Sequence, residues 1–403
     1  MTTLDDLAST PNALAPHYSR FRVAERLLLT GHSHQAWPDV AREGQLEAFD
    51  DAAEAVDGKW DRAAAKADEL RAAVGRLLGD PGGQVALGAN THELVVRFLS
   101  GLGLQAGGRR LVTTDGEFHS LRRQLDRLAE EGVDVVRVTA EPAGTLAERL
   151  AATLGDGRAT AAVLVSAVLF ESARVVPDLG GLADVCRRHE VELLVDAYHA
   201  LGPVPLPLGA LGLSDAWVVG GGYKYLQLGE GNGFLRLPPH AGWMRPVVTG
   251  WFAEFADLAG EHPTGRVQYG EGAARFAGAT YDPTSHYRAA RVLRFFDDSG
   301  LTPALLHQSY QHQLDVLIRA FDELDAPEAV IARDRTVRLA DLGGFLALRT
   351  PHAPRLEQEL ARRGVLCDHR GQVLRLGPAP YLADAQLEAA IAALGEAVAA
   401  IAG

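Results

Sequence analysis

Residues 193–236, LLVDAYHALGPVPLPLGALGLSDAWVVGGGYKYLQLGEGNGFLR, contain two continuous apolar runs that each end in polar side chains. The first run delivers Asp196 at its C-terminal end, and the second, AWVVGGG, delivers Tyr223 and Lys224. Neither alternates apolar with polar, the pattern expected of strands covered on both faces of a parallel sheet. The same pattern recurs upstream: QVALG then THELVVRFLSGL, RLVTT then SLRRQLDRLAEEG, VDVVRVT then TLAERLAATLG, and TAAVLVSAVLF then LGGLADVCRRHE. Strand-like runs alternating with helical stretches predict an α/β fold with a mostly parallel sheet and right-handed connections. Before this block, residues 47–78 are Ala-rich with helical spacing and read as long surface helices. After it come a loop-rich aromatic stretch (238–283), a helical stretch (285–324) and a closing block (326–403) that reads as strand, strand, helix, short strand, helix. The implied organisation is an N-terminal segment (1–45), a large α/β domain (46–283) and a small C-terminal α+β domain (284–403).

With 52 acidic residues against 39 Lys plus Arg, the chain carries a formal net charge of −13, which argues against nucleic-acid or anionic-membrane partners. A composition of 47% hydrophobic and 23% charged residues is that of a globular protein rather than a disordered one. Cys186 and Cys367 are the two cysteines, too few for a disulfide framework or a Cys-rich zinc module. No signal-peptide pattern opens the sequence, and no uncharged apolar run reaches the ~18 residues of a membrane helix. A soluble, cytoplasmic protein is expected.

Ligands of open α/β sheets bind at the carboxyl ends of strands. Taken singly, Asp196 reads as a helix cap and Lys224 as a turn lysine. Together, with Gly220-Gly221-Gly222 before the lysine, they read as a site for pyridoxal 5′-phosphate, whose ring nitrogen needs an anion and whose aldehyde needs an amine.

Here the sequence resembles the class V aminotransferase-type, fold-type I pyridoxal enzymes, and among them kynureninase. The residues that carry the resemblance are Asp196-Ala197-Tyr198-His199-Ala200-Leu201-Gly202 and Tyr223-Lys224-Tyr225-Leu226, and it extends over roughly residues 25–400. It implies a Schiff base on Lys224, Asp196 paired with the pyridinium nitrogen, and His199 supporting that contact or the phenolate side. Tyr223 would meet the phosphate or transfer protons. In GANTHELV, Asn90 and Thr91 stand between strand and helix, where backbone N–H groups and the Thr91 hydroxyl make a phosphate site without a basic residue. Phe118, in TTDGEFHS, matches the ring that stacks on the pyridine face, and Ser172 or Glu171 could reach the ring oxygen.

For substrate, Arg375 in VLCDHRGQVLRLGPAPYL matches the arginine that grips the α-carboxylate, with Arg370 as the alternative. Gly250-Trp251-Phe252 resembles the segment that reaches a neighbouring subunit's cofactor, and RFAGAT the segment ending in a Thr or Asn that touches phosphate or substrate, assigning roles to Trp251 and Thr280; the resemblance also implies a homodimer with active sites at the interface. LLTGHSHQAWP resembles the strand bordering the site, and the kynureninase resemblance implies an aromatic or His on the substrate's ring side, for which His32, His34 and Trp60 are the candidates. The pattern departs from the family after the lysine, at Gln227-Leu228-Gly229-Glu230-Gly231-Asn232, and after Phe118, at His119, Ser120 and Leu121. The expected function is a hydrolase of the kynureninase type, cleaving the Cβ–Cγ bond of kynurenine or 3-hydroxykynurenine. The alternative is another class V pyridoxal enzyme, a lyase, desulfurase, epimerase or aminotransferase, acting on a different small amino acid. A desulfurase would need a nucleophilic thiol, and Cys367 stands at a strand end rather than in a mobile loop.

Overall fold

The chain enters through α1 (Leu4–Ala8), the short strand β1 (Leu27–Leu28) and two helices, α2 (Val40–Ala55) and α3 (Lys59–Leu77). The structure, a computed structural model, describes residues 2–104, 107–258, 260 and 265–402. Next come β2 (Gln84–Gly88), α4 (Thr91–Ser100), β3 (Arg110–Thr114), α5 (His119–Glu130), β4 (Val135–Val138), α6 (Leu146–Thr153), β5 (Thr160–Ser166), α7 (Leu179–Arg188), β6 (Glu192–Asp196), β7 (Trp217–Gly221) and β8 (Gly233–Leu237). Among the described residues these strands form a seven-stranded sheet in the order β2-β8-β7-β6-β5-β3-β4. Alternate side chains of each strand enter different apolar clusters: Val112, Val163, Val195 and Val218 one, Leu111, Leu164, Leu194 and Val219 the other. Fully burying each such side chain contributes about 1.5–3 kcal/mol, which explains why the runs lack polar alternation.

Strands β3 to β7 pair in parallel, as expected, but β8 is antiparallel to both β7 and β2. The cause is connection length. A parallel return needs about a dozen or more residues, whereas the 222–232 segment folds straight back, closed by Gly222 N–H donating to Asn232 O at 3.1 Å. Lys224 therefore rides in a hairpin-like loop between two buried strands.

Beyond the sheet, residues 284–323 form two helices, α8 (Thr284–Asp298) and α9 (Pro303–Glu323), separated at Gly300, whose φ is +70°. Helix α3 is more than a surface helix: it buries Ala63, Ala67, Leu70, Ala73 and Val74 and packs against α8. The closing block is β9 (Leu346–Arg349), α10 (Ala353–Arg362), β10 (Val365–Leu366), β11 (Asp368–Arg370), β12 (Val373–Leu376) and α11 (Asp384–Ala402). One strand precedes α10 and three short ones follow it, where the sequence suggested two and one. Strands of two to four residues leave too little alternation to read. β11, β12 and β9 make an antiparallel sheet, and β1 pairs in parallel with β10. Gly31 N–H donates to Gly377 O at 2.8 Å, so residues 30–35 reach the C-terminal sheet. Among the described residues, no helix is long and apolar enough to cross a membrane.

Candidate active site

Residues just past the carboxyl ends of β3, β6 and β7 converge on Lys224. Its Nζ lies 2.7 Å from His199 Nε2 and 4.7, 5.2 and 5.7 Å from the ring centres of Tyr198, Phe118 and Tyr223. Lys224 and His199 are both buried, each 5% exposed. Burial pushes the Lys224 ammonium down to about 7, against the attraction of Asp196 and with help from the Arg375 and Arg370 charges. His199 is driven well below the usual histidine range by burial and then by the Lys224 charge, so it is neutral. Its Nδ1 is buried without a hydrogen-bond partner.

Asp196 ends β6 and accepts a hydrogen bond from Tyr198 N–H at 2.8 Å. Burial raises its carboxyl, while that N–H and the Lys224 charge pull the other way. Tyr223 packs between Tyr198 and the exposed ring of His34, with centroids 5.0 Å from each. Space around the lysine is held open by glycine. A Cβ on Gly221 would come 2.5 Å from Tyr198 Oη, and one on Gly233 would come 2.7 Å from the backbone carbon of Asn90. That second approach seats the start of β8 against the turn leading into α4, where Asn90 is the N-cap, accepting from Glu93 N–H at 3.0 Å, and Thr91 is the first helical residue.

Arg375 is buried, and its fork is already gripped: Nε and Nη2 donate to the two Asp368 oxygens at 2.8 and 2.6 Å, and Nη1 donates to Phe170 O at 2.6 Å. His32 Nε2 lies 2.7 Å from Asp368 Oδ1, and its ring packs 4.8 Å from Phe345. Burial brings His32 down to about 4, despite the hydrogen bond with Asp368. For Asp368, burial opposes ionisation, but hydrogen bonds from His32 and Arg375, and their charges, hold the carboxyl well below its usual range. Arg370, two residues along β11, reaches Asp368 Oδ2 at 3.4 Å and is more exposed.

The structure thus brings together Lys224, His199, Asp196, Tyr223 and Phe118 in one cluster, and joins His32 to Arg375 through Asp368. Ser172 Oγ is buried and without a hydrogen-bond partner, whereas Glu171 is exposed. Trp251, Thr280 and Trp60 lie elsewhere. Trp251 Nε1 donates to Thr280 Oγ1 at 3.3 Å, and Trp60 packs on Phe252 and Tyr281. Trp60, Phe252 and Thr280 border a cavity of about 1260 Å³ whose lining also includes Gly88 and Ala89 but not Trp251, Lys224, His199 or Asp196. Asp368 and Glu117 went unnoticed in the sequence. Asp368 was readable only from the β11–β12 register, which sets it opposite Arg375, and Glu117 stands beside Phe118 in a loop where carboxylates are usually solvated.

The residues fit a bound pyridoxal phosphate. A buried amine of lowered pKa, a carboxylate at the neighbouring strand end, an orphaned His199 Nδ1 and a helix start approached by Gly233 match its aldehyde, ring and phosphate.

No protein-family model matches the chain. It is 24% identical over 339 residues to the uncharacterized aminotransferase YcbU of Bacillus subtilis strain 168, a span covering 82% of this chain and 84% of that protein. Among solved structures, a C-DES mutant with glycine covalently linked to the PLP cofactor superposes with a TM-score of 0.82 at 20% identity, covering 94% of this chain and 98% of that one. The complex of the cystine C–S lyase C-DES with cysteine persulfide gives 0.80 at 19% identity, covering 93% and 98%. The apo cysteine desulfurase from Thermococcus onnurineus NA1 gives 0.79 at 17% identity, covering 99% of both chains. The chain has the fold-type I α/β architecture of these pyridoxal-phosphate enzymes, with a mostly parallel central sheet. These relatives give no support to the expected kynureninase identity; they fit the alternative, another class V reaction on the same core.

Proposed function

We propose that the chain is a pyridoxal 5′-phosphate-dependent lyase that breaks a bond at the β-carbon of a small amino acid. The observation that carries this reading is the buried Lys224 amine, set between Phe118 and His199 and facing Asp196, in a fold shared with a cystine C–S lyase. Pyridoxal phosphate, when bound, supplies an electron sink that acidifies the α-proton of an attached amino acid. Lys224, brought down to about 7, is in large part the free amine near neutral pH and can take that proton. Asp196 would present the anion to the ring nitrogen, and His199 orients the lysine from 2.7 Å. Phe118 would stack on the ring, and the α4 start at Asn90 and Thr91 would hold the phosphate. Arg375 meets the substrate α-carboxylate with the N–H groups that Asp368 and Phe170 leave free, and His32 holds Asp368 in place. Tyr223 is the proton donor to the departing group.

A desulfurase acting through its own cysteine is disfavoured by Cys367, which is 8% exposed with its thiol pushed up by burial to about 12, so a thiolate nucleophile is scarce. Self-association is supported by Val247, Trp251 and Phe255, which are 68%, 46% and 52% exposed around one loop. In a homodimer Trp251 and Thr280 would serve the partner's site.

The test is an assay of purified protein with pyridoxal phosphate against L-cystine, L-cysteine, L-alanine and L-kynurenine, following pyruvate, anthranilate and amino-group exchange. Pyruvate from a sulfur amino acid, undiminished in Cys367→Ala, is expected. Amino-group exchange without pyruvate from either sulfur amino acid would overturn the lyase reading in favour of an aminotransferase, and anthranilate from kynurenine would restore the hydrolase.

A further inference from the structure

Glu117 is 2% exposed and has no role in the chemistry above. Its Oε1 accepts hydrogen bonds from Thr114 Oγ1 at 2.7 Å and Ser166 N–H at 3.1 Å, and its Oε2 lies 2.6 Å from Ser166 Oγ. Thr114 ends β3, Ser166 ends β5, and Ser166 is in register with Asp196 on β6. Glu117 thus ties two strand ends together beside the carboxylate that faces the ring nitrogen. The next residue, Phe118, is the N-cap of α5, with its ring edge-on to Phe170 at 5.5 Å and facing Lys224 Nζ.

Among the described residues, no Lys, Arg or His lies within ion-pair distance of Glu117. A bare carboxylate buried there, close enough to feel the Asp196 charge, would be costly, whereas the neutral acid donates to Ser166 Oγ while still accepting from the two other donors. Burial, reinforced by Asp196, pushes its pKa up to about 7 against the hydrogen bonds from Ser166 and Thr114.

We propose that Glu117 is a positioning residue of this site: as the neutral acid it locks the loop that sets the Phe118 ring, and it leaves Asp196 as the anion presented to the cofactor. The inference rests on the pyridoxal-phosphate reading. Its test titrates pyridoxal 5′-phosphate into wild type, Glu117→Gln and Glu117→Leu apoprotein, recording affinity, the visible absorbance band with its pH midpoint, and melting temperature. Glutamine reproduces the hydrogen bonds of the neutral acid, so Glu117→Gln should bind within about threefold of wild type with an unmoved midpoint, while Glu117→Leu, leaving two buried donors unpaired, should lose about tenfold or more. Glutamine binding as weakly as leucine, or a midpoint displaced by about one unit or more, would mean that Glu117 acts as an anion, and would overturn the proposal. The glutamine variant alone decides this even where the leucine variant does not fold. Wild-type affinity in a folded leucine variant would also overturn it. No absorbance band from the wild type would overturn the cofactor reading itself.

Discussion

Breaking the Asp368–Arg375 pair tests the core of the C-terminal half-site. Arg375 is 3% exposed and donates to both Asp368 oxygens, so Asp368→Ala strands a guanidinium whose remaining hydrogen bond, among the described residues, is to the Phe170 carbonyl. Removing one member of a buried pair costs about 3–5 kcal/mol, and because the Asp368 side chain is 17% exposed the lower end applies. The reverse change, Arg375→Met, costs less, about 2 kcal/mol, because Asp368 keeps His32 at 2.7 Å. Removing both leaves no charge stranded, so the double variant should cost little more than the larger single one, an interaction energy of about 2 kcal/mol. Equilibrium urea unfolding of the four apoproteins at neutral pH supplies the cycle. Asp368 has a depressed folded pKa, so its contribution is full above the unfolded value of about 3.9 and fades as pH falls further through the folded value. Losses that simply add, within about 0.5 kcal/mol, would refute the claim that the two side chains act as one unit.

In the apoprotein, Lys224 should react with an amine-directed acylating reagent half-maximally near pH 7, its pKa being about 7. Asp196→Asn should move that midpoint lower, since Asp196 raises the lysine; an upward shift would contradict the assignment. Gly233→Val should lower stability by about 1–3 kcal/mol, because its first side-chain carbon would sit 2.7 Å from the Asn90 backbone, and a melting curve like wild type would exclude the contact. Cys367 should resist thiol reagents at pH 8 in the native protein and react rapidly once unfolded, its thiol being pushed up to about 12 by burial; fast native labelling would reopen the desulfurase route.

How much was readable from sequence differs by element. Buried strands announce themselves as unbroken Val, Leu and Ala runs, and Asp196 and Lys224 follow because each ends such a run. Strand direction is not written in those runs: β8 looks like its neighbours and reverses only because the 222–232 loop is short. Phe118 was legible by its place after a strand, but its support by Glu117 depends on Ser166, 49 residues away. Asp368 was hidden for a similar reason. Its partners His32 and Arg375 meet it across a strand register and across 336 residues of chain, distances over which local pattern carries no information.

That last separation bears on synthesis. His32 is synthesised 336 residues before Asp368, and Gly31 likewise waits for Gly377. At about 5–20 residues per second, the sheet that presents Asp196 and Lys224 emerges several seconds before the strands that bring Asp368 and Arg375 to His32. A nascent chain stalled before residue 368 therefore holds Lys224 and His199 without the Asp368–Arg375 pair, so the two parts of the proposed site are completed one after the other.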